Sequence, residues 1–138
     1  MIRIRVADSI KHVLPAVLRE SDFLRRKYSQ PMYGAIGGIP SRNFSGMAWV
    51  DESDGKVRDP YMLLPPIGGG KPQAENGGGQ YMKTLRNGGA AMQAYADLVL
   101  YDWTDDRRVA VQKALLRYCE LDTLAMVFIV EAWREWCR

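Results

Sequence analysis

Tyr118 and Asp122 stand four residues apart. On a helix that spacing puts a phenol and a carboxylate on one face, one turn from each other, a geometry usable for chemistry. The spacing alone is a loose pattern, because a chain with seven tyrosines and ten aspartates also carries it at Tyr101 and Asp105. Asp105 has a simpler reading: with Asp106 it falls in the first turn of a helix capped by Thr104, where the helix dipole favours negative charge. Asp51, Asp54 and Asp59 lie near enough in sequence to suggest a metal loop, yet turn formation accounts for them more simply. Arg25, Arg26 and Lys27 make a basic cluster that either faces nucleic-acid phosphates or is the solvated end of a helix. Gly68-Gly69-Gly70-Lys71 is not a phosphate loop, since Pro65 and Pro72 occupy the positions where that loop needs a glycine and a hydroxyl residue. No serine or cysteine has an obvious histidine partner, His12 being the one histidine, and Cys119 and Cys137 fit neither a zinc pattern nor a disulfide framework.

The elements that must position these residues follow from periodicity. Ile2, Ile4 and Val6 alternate with Arg3 and Arg5, which predicts a short strand at 1–6. Ser9 then caps a helix whose apolar positions are Ile10, Val13, Leu14, Val17 and Leu18. Pro15 leaves two options, an irregular turn before it or a helix that begins near it. From 30 to 79 glycine and proline make regular structure sparse, apart from a hairpin over 49–57 turning at Asp54-Gly55. Residues 68–79 read as a flexible loop. After Asn87-Gly88-Gly89, three helices are expected: one with a buried stripe of Met92, Tyr95, Ala96 and Val99, one burying Val111, Ala114, Leu115 and Tyr118, and a last one over 121–136. The last is apolar nearly all round between Leu124 and Val130, which predicts a central position. In that arrangement Tyr118 and Asp122 have a purely structural alternative, with Tyr118 packed between helices and Asp122 capping the last one.

The wider run Ala114-Leu115-Leu116-Arg117-Tyr118-Cys119-Glu120-Leu121-Asp122-Thr123-Leu124-Ala125-Met126-Val127 closely resembles the signature of a bacterial family known as domain of unknown function 2779. Ser9-Ile10-Lys11-His12-Val13-Leu14-Pro15-Ala16, Ser41-Arg42-Asn43-Phe44, Asp59-Pro60-Tyr61 and Gly88-Gly89-Ala90-Ala91-Met92-Gln93-Ala94-Tyr95 extend the resemblance over most of the chain. It implies an origin in an RNase H-like nuclease fold, similar to the C-terminal part of a DnaQ-like 3′-to-5′ exonuclease of the DEDD type. There the last motif is a helical Tyr-x-x-x-Asp, so Asp122 would be a metal ligand and Tyr118 would position the attacking water, with Mg²⁺ or Mn²⁺ as cofactor. Such an enzyme also needs an Asp-x-Glu and a further aspartate upstream. No Asp-x-Glu occurs in this sequence.

Composition adds bounds. With 138 residues, 47% hydrophobic and 25% charged, the chain is expected to be a single domain over 1–138: strand plus helix at 1–29, a loop-rich segment with a hairpin at 30–86, and a helical core at 87–138. The fold class is α/β in the α+β sense, a partial RNase H-like exonuclease fold. A net charge of +3 permits nucleic-acid contact without requiring it. No apolar run reaches the roughly 18 residues of a membrane span, and two early arginines argue against a signal peptide, so the expected setting is cytoplasmic, with no membrane partner. The functional expectation is a nuclease-derived domain, inactive alone, that relies on the missing N-terminal part of a longer protein. The alternative is a non-catalytic module binding nucleic acid or a protein, such as a small regulator or inhibitor from a mobile element, presenting Arg25, Arg26, Lys27 and the 30–79 loops.

Overall fold

Ser9 opens the first helix as its type requires: with extended backbone, it accepts the Lys11 N–H on its hydroxyl at 3.4 Å. The computed structural model describes residues 9–67 and 85–138; the strand expected at 1–6 and the loop at 68–79 lie outside the described residues. Helix α1 spans Ile10–Glu20 and runs through Pro15, which settles the choice left by that proline in favour of one helix beginning before it. Leu14, Val17 and Leu18 form its buried stripe. Complete burial of a leucine contributes about 1.5–3 kcal/mol, so this stripe anchors the helix. Ser21 ends α1 by donating its N–H to Val17 O at 3.0 Å and opens α2, Asp22–Tyr28, by accepting the Leu24 N–H at 3.2 Å.

Two compact units emerge, one of 1–63 with 121–138 and one of 64–120. In the first, the Tyr28 carbonyl accepts from Trp49 N at 2.8 Å and Val50 N at 3.0 Å, tying the irregular segment after α2 back to its end. Tyr33, Phe44 and Trp49 pack edge to face within that segment, with Trp49 fully buried. Gly34 permits the close approach: its φ is +76°, and an added Cβ would fall 2.0 Å from the Phe44 carbonyl oxygen. The expected hairpin forms between β1, Glu52–Ser53, and β2, Lys56–Val57, paired antiparallel. Asp54 and Gly55 both have positive φ, the requirement of a two-residue turn of this hand. A 3₁₀ turn follows at Pro60–Leu63.

The second unit holds α3, Gly88–Leu100, and the first part of α4, Asp105–Trp136; from Leu121 onward α4 belongs to the first unit. Asn87 caps α3 by accepting the Ala90 N–H at 2.8 Å. With four helices and a small two-stranded sheet among the described residues, the architecture is α+β.

Three expectations are corrected here. Residues 105–136 form one helix rather than two, because 114–127 contains neither glycine nor proline and is rich in good helix formers. Asp122 is therefore interior to a helix and caps nothing. The buried face of α3 consists of Ala94, Asp97 and Leu98, while Met92, Tyr95 and Val99 are exposed at 74, 63 and 67%. Since α3 is apolar on nearly every side, its periodicity singles out no face, and Asp97 tolerates burial because Gln93 Nε2 donates to it at 2.8 Å. Finally, 124–130 is not buried all round: Leu124, Ala125 and Phe128 are inside, with Met126, Val127 and Val130 outside.

Candidate functional site

Asp122 receives its partners from two other stretches of chain. Asp59 Oδ1 accepts the Tyr61 N–H at 3.0 Å and the Asp59 carbonyl accepts from Met62 N at 2.9 Å, while Pro60 starts the 3₁₀ turn where no N–H is needed. That turn buries Tyr61 to 1% exposure, and its hydroxyl donates to Asp122 Oδ1. Lys11, in the first turn of α1, sets its ammonium 4.5 Å from the centre of the Tyr61 ring. Burial lowers the Lys11 pKa below the ordinary lysine value, and the charges of Asp122 and Asp59 push against that shift. A lysine, a buried phenol and a half-buried carboxylate are thus assembled from α1, the 3₁₀ turn and α4, all within the first unit.

Tyr118 lies in the other unit, 5% exposed, its hydroxyl 3.9 Å from where a Cβ on Gly88 would sit. It shares one uninterrupted helix with Asp122, four residues away. The rival pair does not: Tyr101 ends α3, donating its N–H to Asp97 O at 3.0 Å, and Asp105 begins α4. Of the two Tyr-x-x-x-Asp matches, only the one at 118–122 is helical throughout.

The basic cluster is dispersed. Arg25 donates to the Arg19 carbonyl at 2.6 Å, pairs with Asp22, and lies 3.6 Å from Glu52. Lys27 pairs with Glu131 at 2.7 Å. Arg26 is exposed and has no ion-pair partner among the described residues. Asp51 pairs with Arg58 at 3.1 Å, Asp54 makes the hairpin turn, and Asp59 shapes the 3₁₀ turn, so turns account for two of these acids and an ion pair for the third.

Mg²⁺ or Mn²⁺ prefers oxygen donors, and Asp122 meets that preference once: Oδ1 is engaged by Tyr61, and no second hydrogen bond reaches its carboxylate among the described residues. No group of three histidine, cysteine, aspartate or glutamate side chains suited to a metal occurs among the described residues. They fit one ligand of a metal site, not a full two-metal set. The parts of this cluster that spacing misses are Lys11 and Tyr61. Both fall in segments from which the family expectation was read, Ser9 to Ala16 and Asp59 to Tyr61, but nothing local in the sequence directs either side chain to Asp122. No helix among the described residues is long and apolar enough to cross a membrane. Compared with protein-family models, with curated proteins and with solved structures, the chain matches none.

Proposed function

We propose that the chain is a nuclease-derived domain, the C-terminal portion of a metal-dependent, DnaQ-like 3′-to-5′ exonuclease-like protein with an RNase H-like ancestry. The observation that carries this reading is convergence. Three segments on which the family resemblance rests, around Lys11, Tyr61 and Asp122, contribute to one cluster about a half-buried carboxylate. Asp122 is the metal ligand and Tyr118 the residue that positions the attacking water. Mg²⁺ or Mn²⁺, when bound, supplies charge stabilisation for the attacking and leaving oxygens of a phosphodiester. The residues of the chain orient one carboxylate and place a lysine charge near it. One carboxylate cannot hold two ions, so the remaining acids come from elsewhere and the chain alone is inactive.

A different observation favours a second reading, a non-catalytic module with a protein partner: Met92, Tyr95 and Val99 on α3 leave apolar side chains in solvent, as do Met126, Val130 and Trp133 on α4. Digestion of labelled single-stranded DNA and RNA with Mg²⁺ and Mn²⁺ separates the two. The chain should degrade neither faster than its Asp122→Ala variant, and a longer protein that supplies the missing acids should lose activity on that substitution. Full activity of the longer Asp122→Ala protein would leave the binding module standing.

A further inference from the structure

We infer that the outer face of α4 is a dimer interface, on which the same face of a second copy of this chain lies antiparallel. The inference rests on the second reading above, a module with a protein partner, and names that partner; it makes no use of Asp122 as a metal ligand. Cys119, Thr123, Met126, Val130, Trp133 and Cys137 recur at alternating steps of four and three residues, and every one of them is exposed. That spacing keeps side chains on one seam of a helix, the pattern by which two helices pack along each other. Leu121, Ala125, Phe128 and Ala132 repeat the same steps on the opposite side, and these are buried. The helix thus carries an inner seam and an outer one.

What fits the outer seam is its own reverse. With Val127 near a two-fold axis, Met126 faces the partner's Val130, Thr123 the partner's Trp133, and Cys119 the partner's Cys137. Glu120 and Arg134 flank the seam and meet acid to base, twice by symmetry. Sliding the pairing one heptad toward the N-terminus sets Lys113 against Arg134, and sliding it two sets Glu120 against its own copy. Parallel pairing brings neither charge to an opposite one. Flanking charges of this kind fix orientation and partner. Met126, Val127, Val130 and Trp133 are 54, 41, 42 and 58% exposed, so with their neighbours each copy offers roughly 500 Å². The total is about 1,000 Å², where specific interfaces begin, which makes the dimer concentration-dependent.

The test cross-links the full chain with diamide, an azo compound that takes two electrons and two protons from a pair of thiols as their sulfurs bond, and becomes a hydrazine. Within one chain the two cysteines lie about 27 Å apart along α4, so a disulfide between them joins two chains. Mixed Cys119→Ser and Cys137→Ser chains should cross-link, and neither variant should do so alone. Equal cross-linking of either variant alone, or none in the mixture, overturns the inference. Sedimentation should show a dimer that grows with concentration, that Trp133→Glu weakens at least about tenfold and that Met92→Ser leaves unchanged. A chain monomeric at every concentration, or a dimer indifferent to Trp133→Glu, also overturns it. Either result leaves the binding module standing with a different partner, because the digestion assay alone decides between that module and the nuclease.

Discussion

Asp122 and Glu131 lie nine residues apart on α4, and each is served by a tyrosine and a lysine, yet they are not equivalent. Glu131 is closed: Oε1 takes the Lys27 ammonium at 2.7 Å and Oε2 the Tyr28 hydroxyl at 3.0 Å. Both oxygens are used to brace the end of α2 against α4, beside the edge-on contact of Tyr28 with Phe128 at 4.4 Å. Asp122 commits one oxygen to Tyr61, and its lysine sits over the tyrosine ring instead of on the carboxylate. A saturated acid stabilises the fold. Asp122, with one hydrogen bond from a buried donor, is the acid on which the proposed ligand role rests.

The largest expected effect breaks the frame that holds both acids. Phe128 is fully buried, and Phe128→Asp puts an unpaired charge there; unfolding by denaturant should show a loss of at least about 4 kcal/mol. An unchanged thermal midpoint would remove Phe128 from the core. Next come the two acids themselves. Glu131→Ala strips partners from Tyr28 and Lys27 together and should cost about 2 kcal/mol, whereas Asp122→Ala strips one and should cost about 1 kcal/mol. Lys27 is partly solvated, which holds the first figure down. Equal losses, or a greater loss at Asp122, would erase the distinction between brace and site.

A smaller effect appears in alkali. Burial raises the Tyr28 pKa above its ordinary value of 10.0, and its bond to Glu131 and that residue's charge raise it further. The fold therefore favours the neutral phenol. Below pH 10 this stabilisation is fully present, because the unfolded phenol is also neutral; as pH rises above 10 the unfolded chain sheds a proton that the folded chain keeps, and stability falls. Tyr28→Phe should flatten that decline in the thermal midpoint. The smallest effect sets the floor for the series: Met92→Ser, on the exposed side of α3, should change stability by less than about 0.5 kcal/mol, while Leu98→Ala on its inner side costs roughly 2 kcal/mol.

What was legible in the sequence was local. Ser9 as a cap, the apolar stripe of α1, of which Leu14, Val17 and Leu18 are buried and Ile10 and Val13 half-buried, and the Asp54-Gly55 turn each depend on residues a few positions apart and were readable from local chemistry. In α1, charged and polar residues such as Lys11, His12, Arg19 and Glu20 leave the apolar stripe unambiguous. In α3 no such contrast exists, and the inner face fell to small Ala94 and to an aspartate with its own helical partner. The unbroken course of α4 could be read only by weighing the absence of breakers above the change in apolar pattern near 121. Asp122 was visible as a candidate because its spacing to Tyr118 is short. Tyr61 was not, since a hydroxyl 61 residues away reaches that carboxylate only after the chain has folded.

The comparison of the two acids is tested most directly by titrating the wild-type chain with Mn²⁺ while following the side-chain carboxyl carbons of Asp122 and Glu131 by nuclear magnetic resonance. The Asp122 signal should broaden at the lowest Mn²⁺ concentrations, with Glu131 unaffected until the metal is in large excess. Simultaneous broadening of the two, or broadening of Glu131 first, would contradict the assignment of Asp122 as the carboxylate held ready for a ligand.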